Sequence, residues 1–347
     1  MESTPIITKE TKNRLVVDYE GKLSFKERLL RKLKTSNTWI KVLINIFRFI
    51  FMLGVSYVII YPFISKIANS FMTVGDIVDT TVIFIPKNFT TEIYRYIFTE
   101  NHYLEAFFNT VLLSLMCAII QTFIAAIVGY GIAKFKFKGN KIVSAFVIIT
   151  MVIPHSALEL ALIQHFTNFD IFQVISWNYP SILELITGGP LKLQGTFWPM
   201  AILSFCGLGF KNGLYIYMMR QFFKGVPDEL EESAYVDGSG VFRTFFQIIL
   251  PLSVPMMITI FLFAFSWQWT DGFYTEIFFM NQDTVRLMPD VYQNIPKSLA
   301  TDFSGTTLYN SVIRNTAGLM IIAPLLVVYL FCQKYLVQGI ERSGLVG

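Results

Sequence analysis

Residues 110–133 read TVLLSLMCAIIQTFIAAIVGYGIA, a run without one charged side chain, opened by Asn109 and closed by Lys134. At 1.5 Å per residue a helix of this length covers roughly 36 Å, enough to cross about 30 Å of hydrocarbon. Lipid offers no partner to backbone N–H and C=O groups, so a helix is the conformation such a segment takes. Blocks of the same character recur at residues 49–66, 142–163, 197–219, 249–270 and 316–334. The expected fold class is therefore all-α: a polytopic membrane protein with six transmembrane helices. Composition agrees. Of 347 residues, 54% are hydrophobic, 16% aromatic and 15% charged, and the mean hydropathy is +0.53. Soluble domains carry about a quarter charged residues, so an ordinary cytosolic enzyme, a disordered chain and a nucleic-acid binder are excluded.

The net charge is only +4, so the placement of the charges carries the information. With the N-terminus inside, 20 of the 28 Lys and Arg fall on the inner segments and 7 on the outer ones, with Lys211 inside the fourth span. The positive-inside rule then puts both termini in the cytoplasm. The first 40 or so residues are polar and basic, unlike a signal peptide, and are expected to stay in the mature protein. Within them, Ser24 and Glu27 have capping-box spacing, and Phe25, Leu29, Leu30 and Leu33 recur at helical intervals opposite basic residues. Residues 24–46 are expected to form a basic amphipathic helix on the inner membrane surface, with a partner-binding helix as the alternative. Cys117, Cys206 and Cys332 show no CxxC spacing and read as small buried hydrophobes. His102, His155 and His165 form no metal-ligand pair, so no metal site is expected. Asn88-Phe89-Thr90 matches a glycosylation triplet, a pattern common by chance. The outer loops after the first, third and fifth spans are long, which suits an extracytoplasmic docking surface.

The inner segment between the fourth and fifth spans, residues 220–248, reads as a short helix punctuated at both ends. Pro227 suits a first helical position, and Asp228, Glu229, Glu231 and Glu232 favour the positive end of a helix dipole. Gly238 is suited to a left-handed helix terminus. Leu230, Ala234 and Tyr235 are expected to share one apolar face that enters a groove of another protein, with the acids facing elsewhere. No GxxxxGK[ST] stretch is present, so ATP chemistry is not expected on this chain.

These residues bring a known family into view. Glu232-Ser233-Ala234, then Gly238, then Ile248, Leu250 and Pro251 at their spacing resemble the "EAA" signature of bacterial ABC-importer permeases, with Ser in place of the first Ala. Six fixed identities would match a given start about once in ten million by chance. Asn109-Thr110, GYGIAKFKFKG (129–139), MMRQFF (218–223) and QKYLVQGI (333–340) are similar to the carbohydrate, maltose-type branch. The resemblance covers roughly residues 50–347 and departs at the longer tail, at an enlarged outer loop 164–196 and at Trp267-Gln268-Trp269-Thr270-Asp271, where the family shows a Trp-Asn-rich stretch.

The resemblance implies a type I importer fold in a bacterial cytoplasmic membrane. It implies a cytoplasmic tail at 1–48, a first helix and outer loop at 49–104, a core permease domain at 105–336 and a C-terminal tail at 337–347. It implies that Glu231, Glu232, Ser233, Ala234, Asp237, Gly238, Leu250 and Pro251 couple the chain to an ATPase subunit. Expected partners are a second homologous permease, two ATP-binding subunits that hold ATP and Mg²⁺, an extracytoplasmic solute-binding protein, membrane lipid and a sugar, expected as an oligosaccharide and in some cases acidic. The loop around 276–310 is implied to reach the binding protein, and residues 334–347 to touch the ATPases. A permease for another solute class, such as peptides or phosphonates, and an ion-coupled secondary transporter are the alternatives.

Polar residues in the spans are the candidate substrate pathway. Lys211 lies nine residues before Arg220, about 13 Å deeper by helix rise, where a cation is costly unless it faces protein or water. Glu159, with His155 one turn earlier, is its expected partner. The open alternatives are a structural ion pair and contact with an anionic substrate. Trp267, Gln268, Trp269 and Asp271, with Phe273 and Tyr274, close the fifth span. They read either as an interfacial belt or as a surface on which sugar rings stack.

Overall fold

The computed structural model describes residues 7–10, 16–19, 36–170, 188–189, 191–279, 285–300 and 306–344. The chain divides into two compact units, Met1–Ser65 and Lys66–Gly347.

The first unit departs from the all-α expectation in one detail. Strands β1 (Ile7–Glu10) and β2 (Val16–Tyr19) form a short antiparallel hairpin, with Ile7 opposite Tyr19 and Glu10 opposite Val16. Their β-branched content suits a pleated pair. Helix α1 (Ser36–Asn69) starts earlier than the apolar block at 49–66 and runs across the unit boundary. Residues 36–46 of the expected amphipathic stretch belong to it, and residues 24–35 lie outside the described residues. Every side chain from Ile40 to Ile64 is exposed, as befits a helix whose solvent is lipid.

The named elements of the second unit's described part are helices, with isolated bridges pairing Met72 with Phe89 and Phe169 with Leu191. It opens with α2 (Val74–Val78) and α3 (Glu92–Glu100), which fold the segment after α1 into structure. Asp76 is buried there and accepts from the Asn88 backbone N–H at 2.7 Å and from its Nδ2 at 3.1 Å, so the amide of the Asn88 triplet is engaged. Helix α4 (Tyr103–Lys134) is the centre of the unit, followed by α5 (Asn140–Val152), α6 (Glu159–Thr167), α7 (Trp198–Phe205) and α8 (Asn212–Lys224). Then come α9 (Glu229–Val236), α10 (Val241–Thr244) leading through a π-helical turn at Phe245–Ile249 into α11 (Leu250–Trp269), α12 (Phe273–Phe278), α13 (Met288–Gln293) and α14 (Thr306–Gly344). Small residues let α4 approach its neighbours. Ala118, Ala125 and Ala126 are fully buried, and a Cβ on Gly129 would lie 2.7 Å from that of Met219 on α8. Close approach of this kind is how helices pack without a hydrophobic driving force in lipid.

The six continuous spans are not all present. Among the described residues, four helices are long and apolar enough to cross a membrane, five if the pair Asn140–Val152 and His155–Thr167, bent by 99°, counts as one. The third expected span breaks at Pro154: Pro has no N–H and forces Ile153 into an extended conformation (ψ 120°). The fourth breaks after Phe205. Gly207, at φ +75°, ends α7 with a Leu208 N–H to Leu203 C=O bond of 2.9 Å, and α8 restarts after Lys211. Cys206 is exposed at this break, unlike buried Cys117. At the C-terminus α14 carries the expected tail as helix to Gly344, ten residues past the block at 316–334.

Candidate functional site

Helix α9 lies between two turns that fix its length. Asp228 is the N-cap residue, so Pro227 precedes the helix instead of opening it, and Glu229, Glu231 and Glu232 fill the first turn. The end is a Schellman closure. Gly238 at φ +79° donates to Tyr235 C=O at 3.0 Å, and Ser239 donates to Ala234 C=O at 2.9 Å. No heavy atom lies within 4 Å of where a Gly238 Cβ would stand, so backbone conformation alone calls for glycine.

The face of α9 differs from the sequence expectation. Ala234 and Glu231 are buried against their own chain, whereas Leu230 and Tyr235 are exposed and continue into Val236 (87% exposed) and Phe242 (81%). The apolar surface is thus offset from Ala234, and one acid points inward. Glu232, Ser233 and Asp237 are exposed, and the Ser233 hydroxyl donates to Glu229 C=O at 2.7 Å. Leu250 and Pro251 begin α11 directly after the π-helical turn Phe245–Ile249, inside the continuous helix Val241–Trp269.

The inward acid meets Lys134, the last residue of α4. Its Nζ donates to Val226 C=O at 2.6 Å and to Asp228 Oδ1 at 2.5 Å, and lies 3.9 Å from Glu231 Oε1. The Lys134 side chain is 6% exposed, so these contacts are largely shielded from water. The Lys134 hydrogen bond holds the exposed Asp228 carboxyl below its ordinary value, while burial raises that of Glu231, with Lys134 opposing. In the sequence Lys134 stands out as an inner-side charge and as part of the family-like stretch 129–139. Its pairing with Asp228 was readable as charge complementarity between two loop boundaries, but nothing in the spacing joined them.

The pathway candidates separate into two groups. The two breaks, at Pro154 and at Gly207, face one another across a cavity of 390 Å³ whose wall includes His155, Gly209, Lys211, Asn212 and Tyr274. Lys211 is not a mid-helix residue. It is the exposed N-cap of α8 in a left-handed conformation, φ 61°, with Nζ 5.3 Å from the Phe210 ring and 5.8 Å from Trp267. From this cap the rise of α8 to Arg220 is about 13 Å, as its spacing predicts. The expected Glu159 partnership is absent: Glu159 is exposed, and among the described residues no carboxylate lies within 4 Å of Lys211 Nζ. The bend of 99° at Pro154 takes Glu159, together with His155, off the line of α5. His155 packs edge-on against Phe210 and Tyr274, at 5.3 and 5.9 Å.

Trp267 and Trp269 do not share one exposed aromatic face. Two positions apart on a helix they point nearly opposite ways. Half-buried Trp267 stacks on Tyr215 and Phe263. Trp269 is 1% exposed, donates to Ile321 C=O at 3.0 Å and packs edge-on against Phe107, which places it in the core. Gln268 and Asp271 are also buried, and the Asp271 carboxylate accepts from the Tyr274 backbone N–H at 3.2 Å. Trp269→Ala is expected to lower stability by about 3 kcal/mol, read as a fall in the melting temperature of the purified protein. Trp267→Ala should lower it less, and an unchanged melting temperature for the Trp269 variant would refute its core role.

The family model described as "Binding-protein-dependent transport system inner membrane component" matches residues 121–342, which contain α9, both breaks and α11. The chain belongs to this family. It is therefore a membrane transport subunit, not an enzyme, and its system includes solute-binding and ATPase partners. Among curated relatives, it is 27% identical over 307 residues to "Protein LplC" of Bacillus subtilis (strain 168), covering 86% of this chain and 93% of that one. It is 25% identical over 304 residues to the "Polygalacturonan/rhamnogalacturonan transport system permease protein YtcP" of the same strain, covering 86% and 96%. With the "Maltodextrin transport system permease protein MalD" of Streptococcus pneumoniae (strain ATCC BAA-255 / R6), identity is 27% over 303 residues, covering 85% and 93%. The fold is that of a chain in the crystal structure of a bacterial ABC transporter involved in the import of the acidic polysaccharide alginate. The TM-score is 0.58 at 19% identity, covering 91% of this chain and 99% of that one.

Proposed function

We propose that this subunit forms half of the translocation pathway of an ATP-driven importer for a carbohydrate, an oligosaccharide in particular. The observation that carries the coupling part is α9: a short helix pinned to α4 by Lys134, ended by Gly238, with Leu230, Tyr235, Val236 and Phe242 exposed beside it. That surface suits a groove on an ATPase subunit. The named sugar permeases among the relatives support the substrate class.

In this reading the chain pairs with a second permease above two ATPase subunits, which hold ATP and Mg²⁺, and receives solute from an extracytoplasmic binding protein. Both termini are cytoplasmic, and residues 1–48, 49–104, 105–336 and 337–347 are tail, first helix with outer loop, permease core and C-terminal tail. Closure of the ATPases moves α9, and α4 and α11 tilt to open the cavity alternately to the two sides. Glu231, Glu232, Ser233, Ala234, Asp237, Gly238, Leu250 and Pro251 carry the coupling.

The test is uptake of labelled oligosaccharides by proteoliposomes holding the assembled importer. Uptake should require ATP inside and binding protein outside. Uptake by this subunit without ATPases would overturn the reading in favour of an ion-coupled transporter, and import of peptides in place of saccharides would overturn the substrate class.

A further inference from the structure

Three features converge on the cavity between the two helix breaks. The first is a cation without an anion: Lys211 is exposed, borders the cavity and has no carboxylate within 4 Å of Nζ among the described residues. The second is its backbone. Lys211 and His102 are the non-glycine residues at positive φ among those described, and such a conformation costs on the order of 1 kcal/mol that Gly or Asn would largely avoid. A lysine held there contributes something that glycine lacks, and that is its ammonium group. The third is the company of the amine. The rings of Phe210 and Trp267 lie 5.3 and 5.8 Å from Nζ, and Trp267 stacks on Tyr215. Aromatic faces hold a cation in place without neutralising it and pack well against sugar C–H groups. Across the opening stand His155 and Tyr274.

We infer that Lys211 is the anion-recognition residue of this pathway, and that the cavity takes an anionic saccharide whose acidic group pairs with the Lys211 amine, held in place by Phe210 and Trp267, while its ring meets the His155 and Tyr274 side of the wall. This rests on the carbohydrate-import reading and narrows it to acidic sugars. The cation explains the selectivity: a charged group crossing low-dielectric surroundings is costly unless it is paired, so a fixed amine favours an anionic solute over a neutral one. A carboxylate and a sulfate ester share this chemistry.

The experiment uses the assembled importer with its own binding protein in proteoliposomes, and compares wild type, Lys211→Met and Lys211→Arg. The probes are a galacturonate trimer, a sulfated galactose trimer and a neutral galactose trimer. For each, the readout is the variant's uptake rate relative to wild type, so that the binding protein's preference cancels. Wild type should import an acidic trimer. Lys211→Met should lose it by about tenfold or more while neutral uptake falls far less, and Lys211→Arg should retain most of it. Whether the carboxylated or the sulfated trimer shows the loss identifies the acid. Equal loss of all three in Lys211→Met, or loss of none, overturns the inference and leaves carbohydrate import standing. Import of the neutral trimer alone by wild type does the same. Import of no saccharide at all overturns the underlying reading together with the inference.

Discussion

Gly238→Val is expected to abolish most ATP-driven uptake while leaving the subunit folded and assembled. The cause is conformational and local. Gly238 sits at φ +79° in open space, so a Cβ there meets no neighbour, but the branched Cβ of valine is unfavourable in the left-handed region by about 1–2 kcal/mol. Relief comes from opening the Schellman closure, which frees the Ala234 and Tyr235 carbonyls and lets α9 fray at the end beside Val236. That energy shifts an equilibrium between seated and displaced α9 by roughly tenfold. ATP hydrolysis should continue without matching transport, and its stimulation by the binding protein should fall. Asn, which tolerates this conformation, should restore much of the uptake as Gly238→Asn. Normal coupled transport by an assembled Gly238→Val complex would remove α9 from the coupling role.

Lys134→Met should have the second largest effect, reached by another route. It takes away the donor to Val226 C=O and the cation that faces Glu231, leaving a nearly buried carboxylate unpaired. The cost of that unmet charge is about 1–3 kcal/mol. Protease sensitivity around residues 225–240 and a lower melting temperature should report it, together with loss of uptake. The deficit has a pH sign. Burial raises the Glu231 carboxyl in the folded protein, so the folded state holds a proton over a range where the unfolded chain has released it. Stability from this group therefore grows as pH falls through its folded value, and the variant should recover on acidification. Lys134→Met combined with Glu231→Gln should recover at neutral pH. A double variant as unstable as the single one would show that Glu231 is not the partner that matters.

Much of the fold was legible because lipid imposes a severe composition. The blocks at 110–133, 249–270 and 316–334 stand as α4, α11 and α14. The interruptions were not legible, because hydropathy is blind to direction. Residues 142–163 and 197–219 stay apolar straight through Pro154 and Gly207, and only backbone geometry turns one run into two helices. The punctuation of α9 by Gly238 was readable, since glycine there has a local physical cause. Its buried face was not, since Glu231 is drawn inward by Lys134 from 97 positions away. Lys211 is legible by its charge, but the expected Glu159 pairing takes the third span as straight through Pro154, where the chain turns by 99°. Trp267 and Trp269 were grouped by adjacency, whereas the helix sends one toward Lys211 and the other to Ile321.

Helix α4 has 32 residues and no proline, so it is a nearly stiff rod about 48 Å long. One end carries Lys134 and thereby α9. The other begins beside His102 and carries Glu105, paired at 3.3 Å with Arg286, and both His102 and Arg286 line a 690 Å³ opening. A rod held near its middle by close-packed alanines behaves as a lever. A tilt of about 10° carries each end roughly 4 Å in opposite directions, by the same helix dimensions. Motion delivered at the Lys134 end arrives at the Glu105 end reversed in sense, without any chain of side-chain rearrangements between them.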